Sequence, residues 1–261
     1  LLSLIWDAGA RKAVGVGRPW RATLVRGVPS TAAIVLVIVI GTYLASWAGW
    51  FLSDDGWGRQ WAAGQDPTIV PAALRSLWYY HAQMWNFHVN LSSPHSYQSN
   101  PLSWPFMTRP TSFYWASIKD GTRGCPTDNC SAEVLALGNP IIWWAALLAI
   151  PYQAWRWLGH RDWRSGAVLV GIAAGWLPWL LYLNRTIFTF YTVVYVPFVV
   201  MALAMTLGAI LGPSNAPIRR RQWGAIAVGT VVLLVVVAAW WFYPVWTGQV
   251  MPYEEWTLRM W

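Results

Sequence analysis

Residues 225–241 read AIAVGTVVLLVVVAAWW, an apolar run without a charged side chain. A helix needs roughly 20 such residues to cross the hydrocarbon core of a bilayer, and the flanking residues extend the run to that length. The whole chain has the same character, being 56% hydrophobic and only 11% charged. Soluble domains carry about 25% charged residues, so the composition predicts a membrane protein.

Hydropathy predicts about five transmembrane helices in an all-α polytopic membrane protein. They are expected at residues 28–52, 139–158, 166–183, 188–212 and 224–246. Asn139 as a helix cap and Pro140 at the first helical position favour a helix start there. That second span is the weakest, because Pro151 interrupts it. Proline is tolerated in membrane helices where neighbours satisfy the freed carbonyl.

The charges predict how the chain is oriented. Eleven of the eighteen Lys and Arg residues, but only two of the ten acids, fall in residues 1–27 and in the connections after the second and fourth spans. The positive-inside rule therefore predicts a cytoplasmic segment at 1–27. Residues 53–138 and 247–261 would lie outside, flanking a four-helix membrane region at 139–246. These inner segments account for the net charge of +8, so nucleic-acid binding is a poor explanation of it.

The predicted outer loop at 53–138 is too long to be structureless in a compact protein. Within it, apolar and aromatic residues recur at spacings of three and four between Leu74 and Leu91, which predicts an amphipathic helix. Such a helix beside a bilayer is predicted to lie in the interface, although packing against the helix bundle fits the periodicity equally well.

Both cysteines of the chain, Cys125 and Cys130, fall in the same loop. On an oxidising outer face, two cysteines this close favour a disulfide over a metal site. A metal site would need further ligands, and His81, His88 and His95 follow at seven-residue intervals. Pro94 prevents one continuous helix from presenting all three, so no metal site is predicted.

Residues 94–115, PHSYQSNPLSWPFMTRPTSFYW, form a segment too polar to cross a membrane. We call it the proline-rich segment. Its prolines fix the backbone and its rings offer surface to bury, so it is expected to be ordered. An ordered loop held against a membrane bundle is where function is usually found.

Two arginines break the positive-inside pattern. Arg109 lies in the proline-rich segment, and Arg185 lies in the short outer turn between the third and fourth predicted spans. Either side chain could reach the headgroup region without a functional role, or bind a phosphate bidentately.

Asp54 and Asp55 could act as a base or hold a cation, but they are better explained as the solvated end of the first span. There is no nucleotide-binding motif and no nucleophile elbow, which favours a lipid-linked donor if the protein is an enzyme.

Three segments carry a family resemblance. They are HVNLSSPHSYQSNPLSWPFMTRPTSFYW at 88–115, ALGNPIIWW at 136–144 and RTIFTFYTVVYVPF at 185–198, the last called here the RTIF segment. Together they resemble the C-terminal membrane region of protein O-mannosyltransferases, especially the actinobacterial branch. The sequence departs from eukaryotic members at 190–192, where Phe-Tyr-Thr replaces Tyr-His-Tyr, and it has no inserted β-trefoil domain.

The resemblance implies the C-terminal half of a GT-C-type glycosyltransferase of the plasma membrane. It would transfer mannose, with inversion, from a polyprenyl-phosphate carrier to Ser or Thr of exported proteins. The catalytic acid motif is expected upstream in a longer polypeptide, so no catalytic residue is assigned to this chain. Ser/Thr-rich exported proteins and the Sec translocon are the expected partners, no cofactor is expected, and the metal requirement stays open.

The resemblance also suggests roles for six residues of the outer segments. Arg185, with Arg109, would hold the carrier phosphate. The residues expected to shape the sugar or acceptor pocket are His95, Tyr97, Ser99 and Trp104.

Two other functions fit the sequence. One is a related lipid-linked sugar transferase, using arabinose or aminoarabinose. The other is a non-catalytic membrane subunit or a transporter. Transporters generally carry charges near the membrane midplane, and the predicted spans have almost none.

Overall fold

The computed structural model describes residues 2–119 and 122–260. The chain forms two compact units, Leu1–Asn90 and Leu91–Trp261.

The first unit is built from five helices. They are α1 (Leu2–Ala13), α2 (Pro19–Ala22), α3 (Val28–Ser46), α4 (Ala48–Leu52) and α5 (Ala72–Asn90). A π-helical turn, Thr23–Gly27, joins α2 to α3, so one helix runs from Pro19 to Ser46. It starts before the predicted position at 28, since Pro19 suits the first helical turn. No side chain of α3 is buried, as expected for a helix that faces lipid.

Aromatic packing joins the end of α3 and the α3–α4 junction to α5 within this unit. The ring of Trp47 lies 5.0 Å from that of Tyr80, and the hydroxyl of Tyr43 is hydrogen-bonded to His81. The structure confirms that the periodic stretch is helical, as α5. The exposed side of α5 carries Trp78 and Trp85, rings typical of a membrane interface. Its position in the interface stays a prediction.

The second unit contains the remaining helices and a small sheet. Its membrane helices are α6 (Pro140–His160), α7 (Trp163–Trp176), α8 (Val196–Leu211) and α9 (Ile218–Thr247), and short 3-10 turns follow α7 and precede α8. The predicted cap at Asn139 is confirmed, because its side chain accepts hydrogen bonds from the N–H groups of Ile141 and Ile142. Glycines let α7 and α8 approach closely: a Cβ on Gly171 would lie 2.4 Å from the Phe198 ring. Small residues serve this purpose in membrane bundles.

Three helices of the described chain are long and apolar enough to cross a membrane, and α8 is a shorter apolar helix. The three are Pro19–Ser46, Trp163–Tyr182 and Ile218–Thr247. A predominantly helical, multi-pass membrane protein is therefore confirmed. The predicted second span is present as α6 but falls outside this set. The predicted fourth span begins as a 3-10 turn at Thr189–Val194 and becomes α-helical at Val196.

One polar side chain connects three helices of the bundle. Gln153 on α6 is fully buried and donates hydrogen bonds to Thr206 Oγ1 at 2.9 Å and to the Ala202 carbonyl at 3.3 Å, both on α8. Its side-chain oxygen accepts a hydrogen bond from Ser165 Oγ on α7 at 2.7 Å. Both amide protons and the carbonyl are thus satisfied, as a buried amide requires.

The predicted outer loop contains a β-hairpin that the sequence did not predict. Strands β1 (Thr111–Lys119) and β2 (Asn129–Ala136) are antiparallel, with an irregularity between Ser112 and Tyr114. Cys125 and Cys130 form a disulfide near the turn of this hairpin. The expectation of an all-α protein is therefore wrong for residues 111–119 and 129–136, which form strands.

The C-terminal residues return to the hairpin. Strand β3 (Met251–Pro252) pairs with the start of β2, and the short helix α10 (Tyr253–Thr257) follows. Nε1 of Trp256 donates a hydrogen bond to the buried carboxylate of Glu133 at 2.7 Å. This bond and the strand pairing anchor the tail to the sheet.

Replacing Gln153 with Leu should destabilise the bundle by about 1–3 kcal/mol, because Ser165 would lose its buried acceptor. Thermal unfolding in detergent measures the effect. Leu148→Ala, at a position 79% exposed on the same helix, is the control and should melt close to wild type. An unchanged melting temperature for Gln153→Leu would contradict the role of this amide.

Replacing Trp256 with Phe keeps the ring contacts but removes the donor to Glu133, whose carboxylate is costly to leave unpaired. We expect hydrogen exchange to become faster at residues 251–257 and on β2, and to stay unchanged in α7. Tyr253→Phe is the matched control. Equal protection of the tail in Trp256→Phe and wild type would exclude this anchor.

Candidate functional site

The proline-rich segment and the RTIF segment lie side by side in the second unit. The N–H of Ser99 donates to the carbonyl of Ile187 at 2.9 Å. The side-chain amide of Gln98 donates to the carbonyl of Arg185 at 3.4 Å. Neither stretch has a regular helix or strand here, so their buried backbone groups must pair with each other. The structure thus brings together the two segments that carry the predicted site.

A chain of hydrogen bonds joins these segments through buried side chains. Nε1 of Trp104 donates to Ser99 Oγ at 2.8 Å, Ser99 Oγ and Thr189 Oγ1 are 3.0 Å apart, and Thr189 Oγ1 donates to the Arg109 carbonyl at 2.7 Å. A threonine hydroxyl has one proton, so Ser99 must donate to Thr189. Donation therefore runs in one direction, from Trp104 through Ser99 and Thr189 to the Arg109 carbonyl.

The local conformation of the proline-rich segment follows from its residues. Asn100 caps a 3-10 turn, its side chain accepting from the N–H of Leu102 at 2.9 Å. The turn ends at Met107, which adopts the left-handed conformation (φ 53°) and is buried. The carbonyl of Pro101 accepts a hydrogen bond from Trp176 Nε1 at 2.9 Å, which ties the turn to α7.

Arg185 rests on an aromatic platform. Its guanidinium carbon lies 5.6 Å from the centre of the Trp179 ring and 6.0 Å from that of Tyr191. These two rings stack on one another with centres 4.6 Å apart. Cation–π contacts of this kind hold a guanidinium in place. Trp104 is 6.0 Å from Trp179, so the platform continues into the buried hydrogen-bond chain.

Arg109 differs from Arg185 in its surroundings. Its side chain is exposed, and no acidic group in the described part of the chain forms an ion pair with it. Its backbone carbonyl is fixed by Thr189, four residues after Arg185. The backbone around Arg109 therefore belongs to the same cluster, while its guanidinium is free to meet a ligand.

The four residues predicted to shape a pocket divide into two pairs. His95 is exposed, its Nδ1 accepts from the N–H of Tyr97 at 3.1 Å, and its ring meets Phe188 edge-on at 5.1 Å. Ser99 and Trp104 are buried, and Trp104 has no exposed surface. His95 and Tyr97 lie on the accessible side of the cluster. The structure gives Ser99 and Trp104 a role in holding the segments together, and their predicted contact with substrate stays a prediction.

Two hollows adjoin the cluster. One, of about 430 Å³, is walled mainly by apolar side chains of the RTIF segment and the start of α6, including Phe190 and Val193. The other, of about 190 Å³, lies beneath Pro105 and is lined by Trp143 and Tyr195 among others. Such apolar space suits the lipid part of a carrier better than a free sugar.

Sequence reasoning missed the residues that position Arg185. Trp179, Tyr191 and Thr189 were not singled out, although Thr189 and Tyr191 fall within the quoted RTIF segment. Their spacing in the sequence could not show that the rings of Trp179 and Tyr191 stack on one another beside Arg185.

The other sequence candidates are not part of this cluster. Asp54 and Asp55 follow α4 in the first unit and are exposed. Cys125 and Cys130 are joined to each other. Across residues 2–119 and 122–260, no three His, Cys, Asp or Glu side chains come together as metal ligands.

Known proteins match this chain over most or all of its length. The family described as the C-terminal four TMM region of protein-O-mannosyltransferase matches residues 73–261. A polyprenol-phosphate-mannose--protein mannosyltransferase of Mycolicibacterium smegmatis is 37% identical over all of this chain and 52% of its own length. The Mycobacterium tuberculosis protein of the same name is 35% identical over all of this chain and 51% of its own.

The fold has a counterpart among solved structures. The S. cerevisiae protein O-mannosyltransferase Pmt1-Pmt2 complex bound to the sugar donor matches with a TM-score of 0.57 and 24% identity, over 80% of this chain and 28% of that chain. This likeness shows the fold alone. The chain spans about half the length of the curated relatives it matches. With the family match covering most of its residues, the chain belongs to the protein O-mannosyltransferase family and contains its C-terminal four-helix membrane region.

Proposed function

We propose that the protein transfers mannose from polyprenyl-phosphate-mannose to Ser and Thr hydroxyls of exported proteins. This chain supplies the wall of the site that binds the carrier. Family membership and the names of the relatives support mannose over arabinose or aminoarabinose. The observation that carries the proposal is the placement of Arg185 on the Trp179–Tyr191 platform, hydrogen-bonded through its carbonyl to the proline-rich segment.

The reaction explains why a fixed cation is useful. The bond between the anomeric carbon and the phosphate oxygen breaks, and the bond to the acceptor oxygen forms on the opposite face. Negative charge therefore develops on the departing polyprenyl phosphate, where a preorganised cation stabilises it most. The planar guanidinium of Arg185 also has the geometry that binds phosphate oxygens bidentately.

The acceptor and the lipid would occupy different parts of this wall. Arg109 is exposed and would reach the phosphate from the proline-rich segment, with His95 and Tyr97 beside the sugar or acceptor. The apolar hollow of about 430 Å³ would take isoprene units of the carrier. The carboxylate that deprotonates the acceptor hydroxyl is proposed to come from outside these 261 residues. No cofactor is proposed, because the donor carries its own leaving group.

The charge distribution supports the topology proposed with this function. Residues 1–27 would be cytoplasmic, with 53–138 and 247–261 outside the plasma membrane. A disulfide at Cys125–Cys130 fits the oxidising side. Exported, Ser/Thr-rich acceptors would reach the site on that side, during or after passage through the Sec translocon.

Replacing Arg185 with Ala in the full-length enzyme should lower kcat/KM about 100-fold or more, because a charge aligned with the leaving phosphate is lost. Arg185→Lys should recover part of the activity, since it restores the charge without the bidentate geometry. The assay is transfer of labelled mannose from the carrier to a Ser/Thr peptide. Arg75→Ala, which removes a charge from the predicted outer loop, should have little effect. Wild-type kcat/KM in Arg185→Ala would refute this role.

Replacing Ser99 with Ala distinguishes a structural from a substrate-binding role. The change leaves the buried Trp104 N–H without an acceptor, so we expect a loss of about 1–3 kcal/mol in unfolding free energy together with reduced activity. Ser103→Ala, nearby in the same turn, is the control for both measurements. Reduced activity with unchanged thermal stability would show instead that Ser99 contacts substrate.

A further inference from the structure

A basic groove lies at the start of the first membrane helix, far along the chain from the proposed transfer site. Three arginines line it, Arg18, Arg21 and Arg26, together with Val16 and Val25. It encloses about 370 Å³. We call it the arginine groove.

The π-helical turn explains why these arginines converge. The N–H of Val28 donates to the carbonyl of Thr23, five residues earlier. In a π-helical turn, residues five apart lie closer to the same face than they do in an α-helix. Arg21 and Arg26 are five residues apart across this turn. Arg18 is the N-cap of the preceding α-helical turn and Arg21 lies within that turn, and both line the same groove.

No acidic side chain in the described residues neutralises these three arginines. The carboxylate nearby is Asp7, and it is already bound by Arg11 Nε and by Thr23 Oγ1, each at 2.6 Å. The hydrogen bond from Arg11, and then that from Thr23, hold the pKa of Asp7 below its usual value. Asp7 thus stays charged and engaged with other partners. Three like charges around one groove attract an anion.

We propose that the arginine groove binds the phosphate headgroup of an anionic phospholipid. This binding site goes beyond the proposed mannosyl transfer and does not depend on it. Guanidinium groups bind phosphate oxygens bidentately, and basic clusters beside a membrane helix recognise anionic headgroups.

The apolar surroundings favour a lipid over a free phosphate. Val25 is 63% exposed on the groove wall, and Trp20 is 53% exposed in the same turn. Beyond them runs α3, an apolar helix with no buried side chain. A headgroup in the groove would therefore place its acyl chains along α3, whereas a soluble anion would gain nothing from these surfaces.

The test uses the purified full-length protein, delipidated in detergent and incubated with photoactivatable phosphatidylglycerol. We expect cross-links on residues 16–36 that unlabelled phosphatidylglycerol removes and phosphatidylcholine does not. The triple variant Arg18→Gln, Arg21→Gln, Arg26→Gln should weaken this labelling about tenfold to a hundredfold, since each basic residue near an anionic headgroup adds roughly a factor of five. Cross-links of wild-type strength in this variant would overturn the proposal.

A matched control separates a site from general attraction. The triple variant Arg219→Gln, Arg220→Gln, Arg221→Gln removes the same charge from the start of α9 and should leave labelling at 16–36 unchanged. Equal weakening in both triple variants would show diffuse electrostatics and refute the groove. Inorganic phosphate competing as well as the lipid would identify a soluble anion instead. Arg21→Gln and Arg26→Gln, each expected to weaken labelling several-fold, serve if the triple variant does not fold.

Discussion

The second unit depends on the directed hydrogen bonds that run from Trp104 through Ser99 and Thr189 to the Arg109 carbonyl. They join stretches about 90 residues apart in sequence, each too irregular to satisfy its own backbone. Because the Ser99 and Thr189 hydroxyls each accept one hydrogen bond and donate another, neither can be removed without leaving a neighbouring buried group unpaired. The positions of the proline-rich segment, the RTIF segment and the arginines on them follow from this constraint.

Two kinds of interaction hold the second unit together, one between its helices and one between its irregular segments. Close approach at Gly171 and the fully satisfied amide of Gln153 fix α6, α7 and α8 against each other. Aromatic rings fix the proline-rich segment and the RTIF segment, with Trp179 and Tyr191 carrying Arg185. A rigid base beneath a cation is what electrostatic stabilisation of a leaving group requires.

Local sequence signals predicted the elements that are determined locally. The apolar run at 225–241 became part of α9, the three- and four-residue spacing became α5, and the Asn139 cap begins α6. The hairpin could not be predicted in this way. Strand β1 carries aromatic residues at consecutive positions, Phe113 to Trp115, so it lacks the alternation that indicates a strand. The aromatic platform under Arg185 could not be predicted either, because its rings come together only through tertiary packing.

The pairing of β3 with β2 has a consequence for assembly. Residues 251–252 follow α9 in the chain, so this edge of β2 has no partner until α9 has been synthesised. The hairpin can therefore complete its sheet only after residues 251–252 have been made. An unpaired strand edge exposes backbone N–H and C=O groups that can pair with another chain, and removing residues 251–252 would leave this edge open permanently.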